Sequence, residues 1–228
     1  MPRLANIHKT DRNPSEKIVA NDCFYVNIKK KWVFLVISAK KELRYYLQQD
    51  KKALGISNRK RPKRFGDYIW KYQICLRKHE YYTNTGSRIW KHVYRYLHKK
   101  KGLKLGFDIP VNVFGPGLRI NHFGLIVVNS NAKIGANCDI HQGVNIGQNH
   151  GQYDVPTIGD HVWIGPGAKL FGKIQIANGV TIGANAIVNK SFTEENITIA
   201  GVPAKKIKEG STVKDEPNCP QKGEPVHL

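Results

Sequence analysis

Acidic residues are scarce in this chain of 228 residues: 17 Asp+Glu stand against 37 Lys+Arg, for a formal charge of +20. Long apolar runs are missing as well. The longest, Trp32 to Ala39, is far too short to span a bilayer. The opening Met-Pro-Arg-Leu-Ala-Asn has no apolar signal core. Four cysteines, Cys23, Cys75, Cys138 and Cys219, are scattered with no Cys-x-x-Cys pair. That spacing excludes a disulfide frame and a zinc-finger site, and free thiols belong to a reducing compartment. The expected location is the cytosol, or the cytosolic face of a membrane.

The shortage of acid is uneven. Residues 1–100 hold 25 Lys+Arg and 7 Asp+Glu (25 − 7 = +18), while the remainder holds 12 and 10 (12 − 10 = +2). A strongly basic part thus precedes a nearly neutral one. A basic part of this kind is read as a solvated face, as a surface for an anionic membrane or anionic substrate, or, least expected, as a nucleic-acid partner.

Residues 1–20 are polar and loose in character. Residues 21–52 carry the apolar run and then Leu43, Tyr46 and Leu47, a pattern that suits a strand or helix followed by a basic amphipathic helix. Pro62 breaks any helix in the basic loop 55–65. Residues 66–100 read as two helices separated by Thr83-Asn84-Thr85-Gly86-Ser87, with Ser87 as a cap. The second ends at His98-Lys99-Lys100-Lys101, where cations suit the negative end of the helix dipole.

From Phe107 the helical period vanishes. Every sixth residue from Val128 to Val188 is Ile, Leu or Val (Ile134, Ile140, Ile146, Ile158, Ile164, Leu170, Ile176, Ile182 between them), with one gap at Gln152. A second row follows four residues behind: Ala132, Cys138, Val144, Val162, Ala168, Ile174, Val180 and Ala186. No helix has a period of six, and a simple strand has a period of two. A six-residue beat belongs to a parallel β-helix whose flat faces each take one hexapeptide, with both rows pointing inward. Glycine follows the aliphatic at Gly135, Gly147, Gly159, Gly165 and Gly183, where the chain turns with little room. The segment Gln148–Thr157 leaves the coil and rejoins it in phase, which marks it as a functional loop.

Residues 107–207 resemble the hexapeptide-repeat acyltransferases, and within them the serine O-acetyltransferase branch. The resemblance is carried by Phe107-Asp108-Ile109-Pro110, Gly115-Pro116-Gly117-Leu118, Asn121-His122-Phe123-Gly124-Leu125-Ile126-Val127-Val128, Ile146-Gly147, Val162-Trp163-Ile164-Gly165-Pro166-Gly167-Ala168 and the closing Ala200-Gly201-Val202-Pro203-Ala204-Lys205. It implies a left-handed parallel β-helix (residues 107–208); by their own composition the residues before it read as a mostly α-helical basic N-terminal region (1–106), and the polar, proline-bearing residues after it as a flexible tail (209–228). It also implies a homotrimer, with pairing of two trimers left open, and acetyl-CoA bound between neighbouring coils. The implied reaction is a direct acetyl transfer to a hydroxyl.

On the same resemblance His122 is the general base and Asp108 the carboxylate that orients it. The chemistry is coherent: a hydroxyl attacking a thioester must lose its proton to a base with a pKa near ~7, and a carboxylate on the far ring nitrogen fixes the tautomer. Asn121 and His150 are the acceptor-binding candidates. Gly147, Gly165, Ala184, Lys190, Lys205 and Lys208 are carried over as acetyl-CoA contacts, the lysines facing its phosphates. Two positions differ from the serine-specific pattern. Asn121 stands where the branch has aspartate, and Val155 precedes Pro156 where it has histidine. The acceptor is therefore read as serine or a glycan hydroxyl, the latter as in surface-polysaccharide synthesis. The alternative is a non-catalytic repeat scaffold whose basic part binds membrane or nucleic acid.

His122 stands six before Val128, so strict extrapolation buries it, whereas Gly124 and the resemblance make the first coil irregular there. His141 reads as an outward or interface side chain, and His161 as a corner residue. No two of His122, His141, His150 and His161 are close in the chain, so no metal site is expected.

Overall fold

The computed structural model describes residues 36–150 and 153–210. The readings of residues 1–20, of half of the apolar run, of Cys23 and Cys219, and of nearly all of the tail lie outside the described residues.

Among the described residues three helices come first: α1 (Lys40–Ala53), α2 (Tyr68–Asn84) and α3 (Arg88–Leu105). At the start of α1, Glu42 Oε2 accepts from the backbone N–H groups of Ser38 (2.6 Å) and Ala39 (2.9 Å), satisfying donors that an α-helix leaves open at its N-terminus. The same bonds hold the Glu42 carboxyl below its usual range. α2 is the central helix, with Trp70, Tyr72, Leu76, Arg77 and Glu80 all buried. Ser87 does occupy the cap position of α3, but its side chain makes no capping bond. α3 also runs past the lysine cluster to Leu105. It ends where Gly106 turns left-handed (φ 78°), a conformation glycine adopts without strain.

Fourteen short strands follow among the described residues: β1 (Phe107–Asp108), β2 (Arg119–Ile120), β3 (Ile126–Val128), β4 (Lys133–Ile134), β5 (Asp139–Ile140), β6 (Asn145–Gly147), β7 (Thr157–Ile158), β8 (Trp163–Ile164), β9 (Lys169–Phe171), β10 (Gln175–Ile176), β11 (Thr181–Ile182), β12 (Ile187–Val188), β13 (Ile197–Ala200) and β14 (Lys205–Glu209). They form three sheets, in the orders β1-β3-β6-β9-β12, β10-β7-β4 and β14-β13-β11-β8-β5-β2. Every pairing is parallel except β13 with β14. From β1 to β13 consecutive strands fall on different sheets, so the chain winds as a three-faced coil, and β14 turns back on β13.

The core is the two aliphatic rows. Every member of both, from Ala132 to Val188, is at most 4% exposed. Burying each Ile or Val contributes on the order of 1.5–3 kcal/mol, which is why the rows tolerate no polar member. The corners make two different demands on the chain. Asn137, His161, Gly179 and Asn196 take the left-handed conformation at successive turns of one corner (φ 54°, 57°, 65° and 56°). The glycines after the aliphatics have a different reason. At Gly165 a Cβ would lie 2.7 Å from the carbonyl oxygen of Ile182 on the next coil, so close stacking, not a turn, demands glycine.

A buried ion network fastens the helices to the first coil. Arg77, fully buried, donates to Asp50 (2.7 and 3.1 Å), to Glu80 (3.0 Å) and to the carbonyls of Phe114 (2.9 Å) and Gly115 (2.6 Å). Asp50 in turn accepts from the backbone N–H groups of Gly117 and Leu118, both at 2.9 Å. Glu80 accepts from Asn112 N at 2.9 Å. Burial opposes the Arg77 charge, but Asp50 and Glu80 outweigh it and hold the guanidinium above its ordinary pKa. No helix among the described residues is long and apolar enough to cross a membrane.

Candidate active site

β2 delivers His122 to the surface. Buried Ile120 pairs with Ile140 twenty residues on, two more than the eighteen between Val128 and its partner Ile146, so the inward position of this strand is Ile120 and not the residue six before Val128. His122 therefore falls outside the core and is exposed, as are its neighbours Phe123 and Leu125. The strict six-residue extrapolation, which buried this ring, does not hold here.

The neighbouring rung supplies what spacing in the chain concealed. Arg119 pairs with Asp139 and Ile120 with Ile140 across β2 and β5. That register brings the rings of His122 and His141 to 6.5 Å between centres. Asp139 sits among them. Its carboxylate accepts from the Asn121 side-chain amide, lies 3.5 Å from Arg119 Nη1, and is 3.9 Å from His141 Nδ1. His141 Nδ1 is 3.1 Å from the Ile164 carbonyl, to which it donates, and the ring packs on Trp163 with centres 4.7 Å apart. Burial pushes the Asp139 carboxyl up and the His141 imidazole down; Arg119 and His141 oppose the first shift and Asp139 the second. Because its partner is a carbonyl, His141 Nδ1 carries a proton. Gln142, the next residue, keeps Oε1 buried with no hydrogen-bond partner among the described residues.

Asp108 is elsewhere engaged. It lies exposed on β1, with Oδ1 2.9 Å from Lys99 Nζ at the end of α3, and no hydrogen bond or ion pair joins it to His122 among the described residues. The side chain that touches the His122 neighbourhood directly is Asn121, through Asp139. Sequence spacing missed Asp139 and His141. The signal that finds them is rung arithmetic, since Arg119 and Asp139 are one turn of coil apart.

The remaining candidates spread along the coil. Gly147 ends β6, next to the loop that carries the exposed His150. Gly165 and Ala184 follow β8 and β11 on the sheet that carries His141. Lys190 is exposed and lies 5.5 Å over the Phe192 ring. Lys205 and Lys208 lie exposed on β14 with no ion pair among the described residues, whereas Lys206 between them is tied to Glu194 and Glu209. A glycine-lined coil with unengaged lysines at its end suits a long cofactor carrying phosphates. No group of three or more His, Cys, Asp or Glu is gathered for a metal among the described residues.

Comparison with known proteins gives this geometry a context. The bacterial transferase hexapeptide family (six repeats) matches residues 156–190. A serine acetyltransferase of Buchnera aphidicola (subsp. Acyrthosiphon pisum) is 34% identical over 138 residues, covering 59% of this chain and 49% of the relative. The crystal structure of serine acetyltransferase from Brucella abortus strain S19 superposes with a TM-score of 0.59 at 29% identity, covering 75% of this chain and 71% of that one. The same enzyme in complex with coenzyme A gives a TM-score of 0.55 at 28% identity, covering 76% and 69%. The chain spans about half the length of the curated relatives that head the comparison. In sequence and in fold it is similar to the hexapeptide-repeat acyltransferases of the serine O-acetyltransferase-like branch.

Proposed function

We propose that this chain is an acetyl-CoA-dependent O-acetyltransferase in which His122 is the general base. The observation that carries the reading is the exposed His122 at the edge of a coil similar to that of serine acetyltransferases, one of which is solved with coenzyme A. The hydroxyl oxygen of the acceptor attacks the thioester carbonyl carbon while its proton passes to His122. The tetrahedral intermediate then expels the sulfur. The C–S bond breaks, and the imidazolium returns its proton to the leaving thiolate, giving an acetyl ester and free coenzyme A. Gly147, Gly165 and Ala184 offer a surface along which a pantetheine arm lies close to backbone, and Lys190, Lys205 and Lys208 meet its phosphates.

The coil is left-handed and the working unit a homotrimer in this reading, with a neighbouring subunit helping to present the thioester. Asp108 then orients His122 only after leaving Lys99. Similarity to the serine enzymes favours serine as acceptor, while Asn121 and Val155, in place of residues that hold the amino acid, leave a sugar hydroxyl as the other candidate.

The test is release of coenzyme A from acetyl-CoA with L-serine and, separately, with N-acetylglucosamine. Acceptor-dependent release that His122→Ala reduces by about 10² or more supports the reading. Robust serine turnover ends the sugar alternative. No release with any acceptor returns the chain to a non-catalytic scaffold, and equal acceptor-dependent rates for wild type and His122→Ala take the role of base from His122.

A further inference from the structure

The residues around His122 contain a second imidazole with no part in the proton transfer above. His141 is held in place on two sides. Its Nδ1–H donates to the Ile164 carbonyl at 3.1 Å and its ring packs on Trp163 at 4.7 Å. With the proton fixed on Nδ1, the lone pair of a neutral imidazole is on Nε2. That atom has no protein partner among the described residues, and it is absent from the buried unpartnered atoms, so it reaches solvent. The ring centre is 6.5 Å from that of His122, near enough for the two imidazole edges to bracket neighbouring substituents of one small molecule.

The charged groups that face His141 do not supply its missing partner. Asp139 is an acceptor like Nε2 itself, and its oxygens already meet the Asn121 amide and Arg119. Arg119 is directed to Asp139. His122 needs its own acceptor nitrogen for the reacting hydroxyl. Gln142 Oε1, next along the chain, is another acceptor without a donor. Water can donate to Nε2 in the free protein, and a ligand that displaces that water must bring a donor of its own.

We infer that His141 is an acceptor-binding residue, its Nε2 receiving a hydrogen bond from a second donor group on the carbon adjacent to the one bearing the reacting hydroxyl. This rests on the acetyl-transfer reading and deepens it by naming the acceptor class, a vicinal diol or amino alcohol. Burial, the first cause of the lowered His141 pKa, favours the neutral ring in which Nε2 is an acceptor, and the positive charge that His122 gains during transfer acts in the same direction.

The experiment compares matched acceptors that differ only in that second donor: L-serine against 3-hydroxypropionate, and glycerol against 1,3-propanediol. The full-length protein is assayed by coenzyme A release. Wild type should prefer the member with the adjacent donor by about tenfold in kcat/KM, the scale of one hydrogen bond. His141→Phe, which keeps a ring against Trp163, should bring that ratio close to one. His141→Gln, which keeps one donor and one acceptor, should restore part of it. The pair that shows the effect identifies the donor as amine or hydroxyl. A purely structural His141 predicts equal losses on both members and an unchanged ratio, which overturns the inference while leaving acetyl transfer standing. Absence of release with all four compounds and with N-acetylglucosamine removes the transfer reading itself, and this inference with it.

Discussion

Lys99 Nζ lies 2.9 Å from Asp108 Oδ1, joining the last turns of α3 to the first strand of the coil. Both side chains are more than half exposed, so the pair contributes at most about 1 kcal/mol and is easily exchanged for another partner.

That weakness yields a first prediction. Lys99→Ala should change thermal stability by no more than a few degrees, as expected for a surface pair. Asp108→Asn should be equally mild in stability yet lower kcat by about 10²–10⁴, if the carboxylate orients His122 in the working enzyme. Thermal melts and steady-state assays on the two variants separate the roles. Equal kcat for wild type and Asp108→Asn would leave Asp108 as a surface residue only.

A second prediction concerns the helix-to-coil clamp. Arg77→Met leaves Asp50 and Glu80 as buried carboxyls without their cation, beside backbone groups that the guanidinium also satisfied. Breaking a buried network from one side costs about 3–5 kcal/mol. Urea denaturation should show that loss, and a variant within about 0.5 kcal/mol of wild type contradicts the clamp.

Acid should weaken the same region. His79 Nδ1 and His98 Nδ1 are 3.1 Å apart, and His98 Nε2 is 2.9 Å from Tyr72 Oη, all buried. Burial pushes His98 down to about 3, with His79 and Lys99 adding to it and Asp108 opposing. Burial likewise pushes His79 down to about 4, with Arg95 and Lys99 adding to it. The rings are neutral in the folded state, while an unfolded histidine titrates near ~6.5. Between that value and about 4 the unfolded chain binds more protons than the folded one, so stability present above pH ~6.5 is lost as the pH falls. Melting temperature should drop from pH 7.5 to pH 5, and a His79→Gln/His98→Gln double variant should show a shallower drop. Identical slopes would take the two rings out of the account.

The lysines of β14 give a fourth prediction. Lys205→Ala together with Lys208→Ala should raise KM for acetyl-CoA about three- to tenfold with little change in kcat, because contacts to phosphate bind ground state and transition state alike. The difference should shrink at high salt, which screens exposed charge. An unchanged KM at low salt means the two lysines only solubilise the end of the coil.

Much of the fold was legible beforehand. Both aliphatic rows are buried, and the described helices fall where their apolar residues recur at three and four. The candidate base, His122, came from a resemblance, and in the structure it is exposed because of a two-residue change of register that no local pattern announced. The Asp139–His141 pair and the Arg77–Asp50–Glu80 clamp were not legible at all. Their members are separated by long stretches of chain or, as with Asp139 and His141, gain meaning only beside a neighbouring rung. Charged residues inside a helix such as α2 carry no sign of burial in a basic sequence, because their partners come from another element.

What the sequence by itself determined is the inside of the coil. Inward identity follows from a local alternation and from the free energy of removing aliphatic side chains from water, and both act over a few residues. What only the tertiary structure decided is the outside. Arg119 stacks on Asp139 twenty residues on, Asp139 on Trp163 after twenty-four, and Trp163 on Thr181 after eighteen. The turns differ in length because loops leave the coil at some corners and not at others. Outward columns, and with them the company His122 keeps, are therefore set by how the turns close in space.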